Sequence, residues 1–406
     1  MINKTEAVGD DTLPRNIAIF IDGTWNHSDS HSHTNVRKLF EATAEGVVNG
    51  RKQSKLYISG VGTRPNVETD EQDGTNYNVE LWPYLSKACI HTKINKLFGG
   101  LTGFGTAARI QATYHYLCKN FRNKSSDRLF LFGFSRGALA ARSLAGFIGK
   151  VGLLFADNLE HVQRAYELYE NSEDATQSEL SAFLYQLTGR GFVHSDEKLY
   201  VPTHFLGVWD TVGALGLPRR LQWFTAPFTE YHQDVCPPSI VTARHALALH
   251  ELRSDFEPLL WNAGSDSDLE QIWFLGAHSD VGGGYPAGED GHSNIAMQWM
   301  ASEAERMELA IDRNGTYWTP SAQTATIHHE IRSIYRATKP TPRSWLTEEN
   351  STYWETHRFH SSTLNHVTNS DKVMYAFKPP RVNTALKRVD ALALPRAVCL
   401  ALIGNG

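Results

Sequence analysis

A serine hydroxyl becomes a nucleophile only when a base takes its proton, and the sequence points to Ser135 for that chemistry. Ser135 stands in Gly133-Phe134-Ser135-Arg136-Gly137, after the apolar run Arg128-Leu-Phe-Leu-Phe and before an alanine-rich stretch, residues 138 to 148. A strand that breaks at Gly-x-Ser-x-Gly and runs straight into a helix predicts a nucleophile elbow. The turn is too sharp for a Cβ at the flanking glycines, and it leaves the hydroxyl standing above the sheet at the amide end of a helix. The competing reading is a plain tight turn.

The base would be a histidine and its orienting partner a carboxylate. Asp210, in Val208-Trp-Asp-Thr-Val-Gly213, follows one buried apolar run, and His278, in Gly276-Ala-His-Ser-Asp, follows the next. Asp210 could instead cap a helix or form a turn. Among the 18 histidines, His245, His250 and His360 compete with His278. The first two lie in a stretch, residues 241 to 251, that reads as helical. Asp280 could orient His278 in place of Asp210, hold the Gly282-Gly283-Gly284 loop, or bind a cation. An oxyanion needs two amide donors. One is expected from Arg136, the other from Gly23 or Thr24 in Asp22-Gly-Thr-Trp-Asn. Asp22 itself reads equally well as a turn former.

These residues need one scaffold that brings them together. Five short apolar runs precede them: Asn16-Ile-Ala-Ile-Phe-Ile, Leu56-Tyr-Ile-Ser, Leu129-Phe-Leu-Phe, His204-Phe-Leu-Gly-Val-Trp and Gln271-Ile-Trp-Phe-Leu. Continuous rather than alternating runs predict parallel strands buried on both faces. Ligands of such sheets sit at the carboxyl ends of the strands, where Asp22, Ser135, Asp210 and His278 all fall. Helices are expected over 107 to 117, after a capping box at Asp157-Asn-Leu-Glu160, and after an N-cap at Ser293, with Ala296, Met300, Ala304, Met307 and Ile311 as its core stripe. The expected fold is α/β, hydrolase-like: a mostly parallel central sheet with helices on both faces, cap insertions and a C-terminal extension. The main domain runs from 15 to 312, with cap segments at 64–98, 170–200 and 217–270, and residues 313–406 form an appended subdomain or wrapping tail. Trp223, Phe224, Phe228 and Tyr231, near Arg219 and Arg220, suit either a lipid-touching lid or core packing.

Composition narrows the class. The 406 residues are 41% hydrophobic and 20% charged, enough to bury a large core. Lys plus Arg number 39 against 44 Asp plus Glu, for a net charge of −5, and no basic run exists, so no nucleic-acid partner is expected. The four cysteines are scattered and read as reduced thiols. No metal or cofactor is expected: His27, His31 and His33 read as a solvated loop, and Gly99 to Gly105 lacks the Gly-Lys-Ser/Thr of a phosphate loop. Residues 1 to 16 lack the apolar core of a signal peptide, and no run of about 18 apolar residues occurs. Cytoplasmic synthesis is the expectation, with any export by a route that reads no cleavable signal.

Five motifs in order, Asp22-Gly-Thr-Trp-Asn, Gly133-Phe-Ser-Arg-Gly-Ala, Gly207-Val-Trp-Asp-Thr-Val, Arg244-His-Ala-Leu-Ala-Leu and His278-Ser-Asp-Val-Gly-Gly-Gly-Tyr, resemble an α/β-hydrolase domain family over roughly residues 15 to 310. That family includes the type VI secretion phospholipase effectors of the first lipase class. The resemblance implies a Ser135–Asp210–His278 triad and hydrolysis of carboxylic esters, above all phospholipid acyl esters. As partners it implies a lipid or other ester, transient contact with a membrane surface, a secretion carrier and an immunity protein. Two other readings fit the residues: a catalytically silent binding module on the same scaffold, and a metal-assisted phosphodiesterase using Asp22, Asp280 and His278.

Overall fold

The apolar runs become strands of one sheet. They are β1 (Arg15–Ile21), β3 (Arg51–Ile58), β5 (Arg128–Phe134), β6 (Thr203–Trp209) and β8 (Asp268–Phe274). The same sheet takes in β2 (Gly46–Val48), β4 (Val67–Thr69), β7 (Ile240–Ala248) and β9 (His357–Phe359). The computed structural model describes residues 13–23, 32–60, 67–69, 104–122, 126–170, 201–213, 235–261, 268–318, 327–328, 343 and 357–360. The strand order is β2-β3-β1-β5-β6-β7-β8-β9, with β4 also paired to β3. Every neighbouring pair from β3 to β9 in that order is parallel, whereas β2 and β4 run antiparallel to β3.

The helices are α1 (Asn35–Ala42), α2 (Phe104–Asn120), α3 (Arg136–Val151), α4 (Val162–Glu170), α5 (His278–Gly282) and α6 (Gly291–Arg306). The period-2 alternation of each strand sorts its residues by shape. Ile17, Ile19, Leu129, Leu131, Leu206 and Val208 form an aliphatic sheet face that packs on α2, α3 and α4, which bring Tyr114, Phe147, Tyr166 and Tyr169. Phe20, Phe130, Phe132, Phe205 and Trp209 face an aromatic layer covered by α1 and α6. Phe20 stacks on Phe132 at 4.9 Å, so rings on adjacent strands pack on one another before any helix is added. Lys38 of α1, although buried, reaches Asp290 and Asn294 at 2.7 Å each and ties α1 to α6.

The chain connects β1 outward to β3, then returns to place β5 on the other side of β1. This reversal opens a crevice at the carboxyl ends of β1 and β5, which is where Asp22 and Ser135 lie.

Several expectations need correction. Residues 241–251 are not helical: Ile240–Ala248 is β7, a strand flanked on both sides. Its Ala-Leu-Ala-Leu composition favours helix, but burial between two strands overrides that weak preference. The expected cap at 217–270 therefore contains a central strand, and only part of it can lie over the sheet. The capping box at 157–160 gives way to a 3-10 turn, Ala156–His161, ahead of α4, with no side-chain cap bond. The N-cap of α6 is Asp290 rather than Ser293, whose hydroxyl instead donates to the Asp290 carbonyl at 2.9 Å. The core stripe Ala296, Met300 and Ala304 is fully buried, though α6 ends before Met307. Part of the C-terminal extension is built into the main sheet, since β9 pairs with β8. Segments 70–98, 171–200 and 214–234, with the aromatic cluster at 223 to 231, lie outside the described residues, as do His27 and His31. No single helix among the described residues is long and apolar enough to cross a membrane.

Candidate active site

The turn after β5 is tight and leads straight into α3. Ser135 sits at φ 58°, ψ −123°, a conformation L-residues rarely adopt, between β5 and the first residue of α3. Its N–H donates to the Trp209 carbonyl of β6 at 3.0 Å. A Cβ at Gly133 would lie 2.5 Å from the Gly137 carbonyl oxygen, and one at Gly137 would lie 2.2 Å from that of Ile21. Strand, helix and β1 thus meet too closely for any other residue. Strain of this kind costs of order 1–3 kcal/mol and persists only where the surroundings over-determine it.

Asp210 follows β6, fully buried, at φ 38°. Its Oδ1 accepts the Ala248 N–H at 2.9 Å, and its Oδ2 accepts from His278 Nδ1 at 2.6 Å. Two more donors come from Arg343, whose Nη1 and Nη2 reach Oδ1 and Oδ2 at 2.7 Å each. Burial alone would push the Asp210 carboxyl up. The Arg343 guanidinium, with the bond from His278, holds it well below the usual carboxylate range. An ionised Asp210 fixes the tautomer of His278, with hydrogen on Nδ1 and a lone pair on Nε2.

His278 is the first residue of α5, four positions past β8. Its ring lies 4.6 Å from that of Phe134, the residue before Ser135, and 4.9 Å edge-on from that of Phe256. Its N–H donates to Glu251 at 3.2 Å, and Glu251 is in turn held by Arg253 through two 2.8 Å bonds. A Cβ on Gly282, the last residue of α5, would fall 1.9 Å from the Phe134 ring. The glycine loop after His278 is therefore seated on the end of the strand that carries the serine.

The rival histidines have other duties. His245 Nε2 accepts the Thr211 N–H at 3.1 Å, and burial, with the charge of Arg142, pushes its pKa down to about 3. His250 Nδ1 accepts from the Gly276 N–H at 2.9 Å. His360 stacks on Phe274 at 4.8 Å, at the sheet's edge.

Asp280 does not touch the His278 ring. Its carboxylate accepts the Ala277 and His328 N–H groups at 2.9 and 3.0 Å and pairs with His328 Nδ1 at 2.6 Å. Asp22 accepts Tyr57 and Thr34 hydroxyls at 2.7 Å each and the Gly23 N–H at 2.6 Å; burial raises its pKa. In this structure the Gly23 amide is thus turned to Asp22, and Thr24 lies outside the described residues. Asp22, Asp280 and His278 keep separate partners, and among the described residues no three His, Cys, Asp or Glu side chains are grouped to hold a metal.

Sequence reasoning misses Arg343, Glu251 and His328. Glu251 carries a usable signal: with 240–248 taken as a strand, Glu251 stands just past its carboxyl end with the other polar residues. Arg343 and His328 carry none, for no strand or helix pattern surrounds them.

The family model described as "T6SS, Phospholipase effector Tle1-like, catalytic domain" matches residues 15–303. A protein of Saccharomyces cerevisiae, named Uncharacterized protein YEL023C, is 29% identical over 245 residues, which are 60% of this chain and 32% of that protein. The chain thus spans about a third of the length of the curated relative it matches. Among solved structures, an uncharacterized protein from Pseudomonas aeruginosa aligns at 21% identity and TM-score 0.39, over 73% of this chain and 46% of the other. The Tle1 effector bound to the VgrG spike of the type 6 secretion system aligns at 18% identity and TM-score 0.36, over 71% and 57%.

Proposed function

The chain belongs to the type VI secretion phospholipase effector Tle1-like catalytic-domain family, and on that premise we propose that it is a serine hydrolase of phospholipid acyl esters. Ser135 is the nucleophile, His278 the base and Asp210 the carboxylate that orients it. The observation that carries this reading is the His278–Asp210 bond, 2.6 Å long, with the imidazole lying on Phe134 next to the strained Ser135.

In the proposed reaction, His278 Nε2 takes the Ser135 Oγ proton as Oγ bonds to the ester carbonyl carbon. The negative charge passes to the carbonyl oxygen, which the Arg136 amide stabilises together with a second amide from Gly23 or Thr24. For Gly23 this requires its N–H to turn away from Asp22 when substrate binds. The tetrahedral intermediate collapses, its alcohol leaves with the proton from His278, and a water molecule then frees the acyl group by the same steps in reverse. Asp210 stays ionised throughout and steadies the imidazolium that forms.

Membership of an effector family suggests a secretion carrier, an immunity protein and contact with a membrane surface as partners. The test is hydrolysis by wild type and Ser135→Ala of a panel from p-nitrophenyl butyrate to defined phospholipids, alongside labelling by a fluorophosphonate. Wild type is expected to label and to release fatty acid, and Ser135→Ala to do neither. A wild type inert to every ester and to the probe would overturn the reading.

A further inference from the structure

Arg343 lies outside the family-matched region and 133 residues from Asp210, yet it is 1% exposed and fixed against that carboxylate. Its four Nη hydrogens all have acceptors. Two go to Asp210 Oδ1 and Oδ2 as parallel bonds of 2.7 Å, one to the Ala248 carbonyl at 2.7 Å, and one to the Phe256 carbonyl at 2.8 Å. Only a planar guanidinium can serve that set, because an ammonium offers no parallel pair of donors.

Among the described residues the Arg343 Nε–H has no acceptor, whereas the count on the side of Asp210 is full. A carboxylate has about four lone-pair sites. Here Oδ1 receives Ala248 N and Arg343 Nη1, while Oδ2 receives His278 Nδ1 and Arg343 Nη2. The carboxylate cannot rotate without breaking several of these bonds, so the acceptor offered to His278 is fixed in direction.

The electrostatics argue against a simple gain in proton affinity. Arg343 and Asp210 cancel in charge, so the pair steadies an imidazolium less than a bare carboxylate would. What Arg343 supplies is orientation and an ionised partner, since burial by itself would drive Asp210 toward the neutral acid. We propose, resting on the serine-hydrolase reading above, that Arg343 is a positioning residue of the active site, locking Asp210 as an ionised, correctly aimed partner of His278.

Asp210 is faced by Arg343, by His278 from α5 and, through space, by His245 of β7. Arg343 in turn feels Glu251 and Glu257, with Arg253 bound to Glu251 and Arg142 acting on His245. Of these groups, Arg343 is the cation that meets both oxygens of Asp210. Its loss should therefore move the acid limb of activity toward higher pH, as Asp210 becomes easier to protonate.

The experiment compares full-length wild type, Arg343→Gln, Arg343→Lys, Asp210→Asn and the Asp210→Asn/Arg343→Gln double variant on p-nitrophenyl butyrate. For Arg343→Gln, kcat is expected to fall roughly 10–100-fold, the scale of a small misplacement of catalytic groups, with KM nearly unchanged. Arg343→Lys should recover part of that loss, and the acid limb of Arg343→Gln should lie at higher pH than that of wild type. In the Asp210→Asn background Arg343→Gln should cost little more, because its route of action is already gone. An Arg343→Gln enzyme with wild-type kcat, or one whose fold-loss is the same with and without Asp210, would overturn the proposal. If Arg343→Gln does not fold, as read by near-ultraviolet circular dichroism, Arg343→Lys alone and in the Asp210→Asn background decides. Wild-type kcat overturns the positioning role, and a loss confined to the Asp210 background supports it. If wild type itself neither labels nor turns over, the serine-hydrolase reading fails and takes this proposal with it. Losses limited to the Arg343 variants leave that reading standing.

Discussion

Two buried aspartate–histidine pairs lie close together in this fold, Asp210–His278 and Asp280–His328, and both are joined at 2.6 Å. They differ in what surrounds them. Asp210 ends a central strand, and its other partners are Arg343 and one backbone amide. Asp280 lies inside the short helix α5 and takes two backbone amides as well as the histidine. The His278 ring meets a carboxylate at Nδ1 and packs between Phe134 and Phe256. The His328 ring stacks on Tyr285 at 3.7 Å and faces carboxylates with both nitrogens, Asp280 at Nδ1 and Glu289 at 3.4 Å from Nε2. A base needs one nitrogen for its orienting acid and the other for the alcohol, so the second pair has no nitrogen to offer. Equal bond lengths thus mark two different devices: one suited to proton transfer, the other a brace that fixes the start of the glycine loop.

The sharpest way to break this contrast is to neutralise each acid in turn. Asp210→Asn should lower kcat by about 10⁴-fold, the scale for a triad acid whose loss leaves the imidazole in the wrong tautomer. Asp280→Asn should keep activity within about tenfold. Equal losses in steady-state kinetics would erase the distinction.

Stability should separate the pairs next. Asp280→Asn replaces one acceptor oxygen by a donor facing the buried N–H groups it serves, and a buried donor left unmet costs about 1–3 kcal/mol. Asp280→Asn should therefore shift the urea midpoint down by an amount of that order while any hydrolytic activity persists. A midpoint equal to that of wild type would deny the bracing role.

The smallest effect is a difference in sign with pH. The folded pKa of Asp210 lies below its ordinary value of 3.8. Its stabilising contribution is complete above 3.8 and is lost as pH falls through the depressed folded value. The folded pKa of Asp280 lies above 3.8, with burial the main cause. Its contribution is complete below 3.8 and is lost as pH rises through the elevated folded value. Urea titrations across this range should show the gap between wild type and Asp210→Asn narrowing on acidification and that for Asp280→Asn widening. Gaps moving in the same direction would contradict the assignment.

The half of this contrast proposed as catalytic draws on residues that stand out in the amino-acid sequence. The strands holding Asp22, Ser135, Asp210 and His278 stand out there, because a strand buried on both faces must be apolar throughout. The tight turn after β5 is legible because steric limits demand glycine at 133 and 137. β7 is not, because it carries Arg244 and His245 within an alanine–leucine sequence. Those two polar residues are held largely by partners far along the chain, Glu303 and Asp268 for Arg244 and the Thr211 amide for His245. β9 is three residues long, too short for any periodicity to register. Arg343 and His328 act through side chains that reach partners 133 and 48 positions away, and separation of that size leaves no trace in local pattern.

The tie between Arg343 and Asp210 also sets a schedule. A ribosome releases the alcohol first, then the carboxylate, then the imidazole, and the arginine last of the four. Until it arrives, the newborn chain has its reactive trio with an acid supported by His278 and the Ala248 amide but not by the guanidinium. Under the proposed chemistry, hydrolytic competence therefore waits for residue 343 to emerge, and a ribosome that stalls earlier leaves behind a fragment whose reactive groups are all present but untuned.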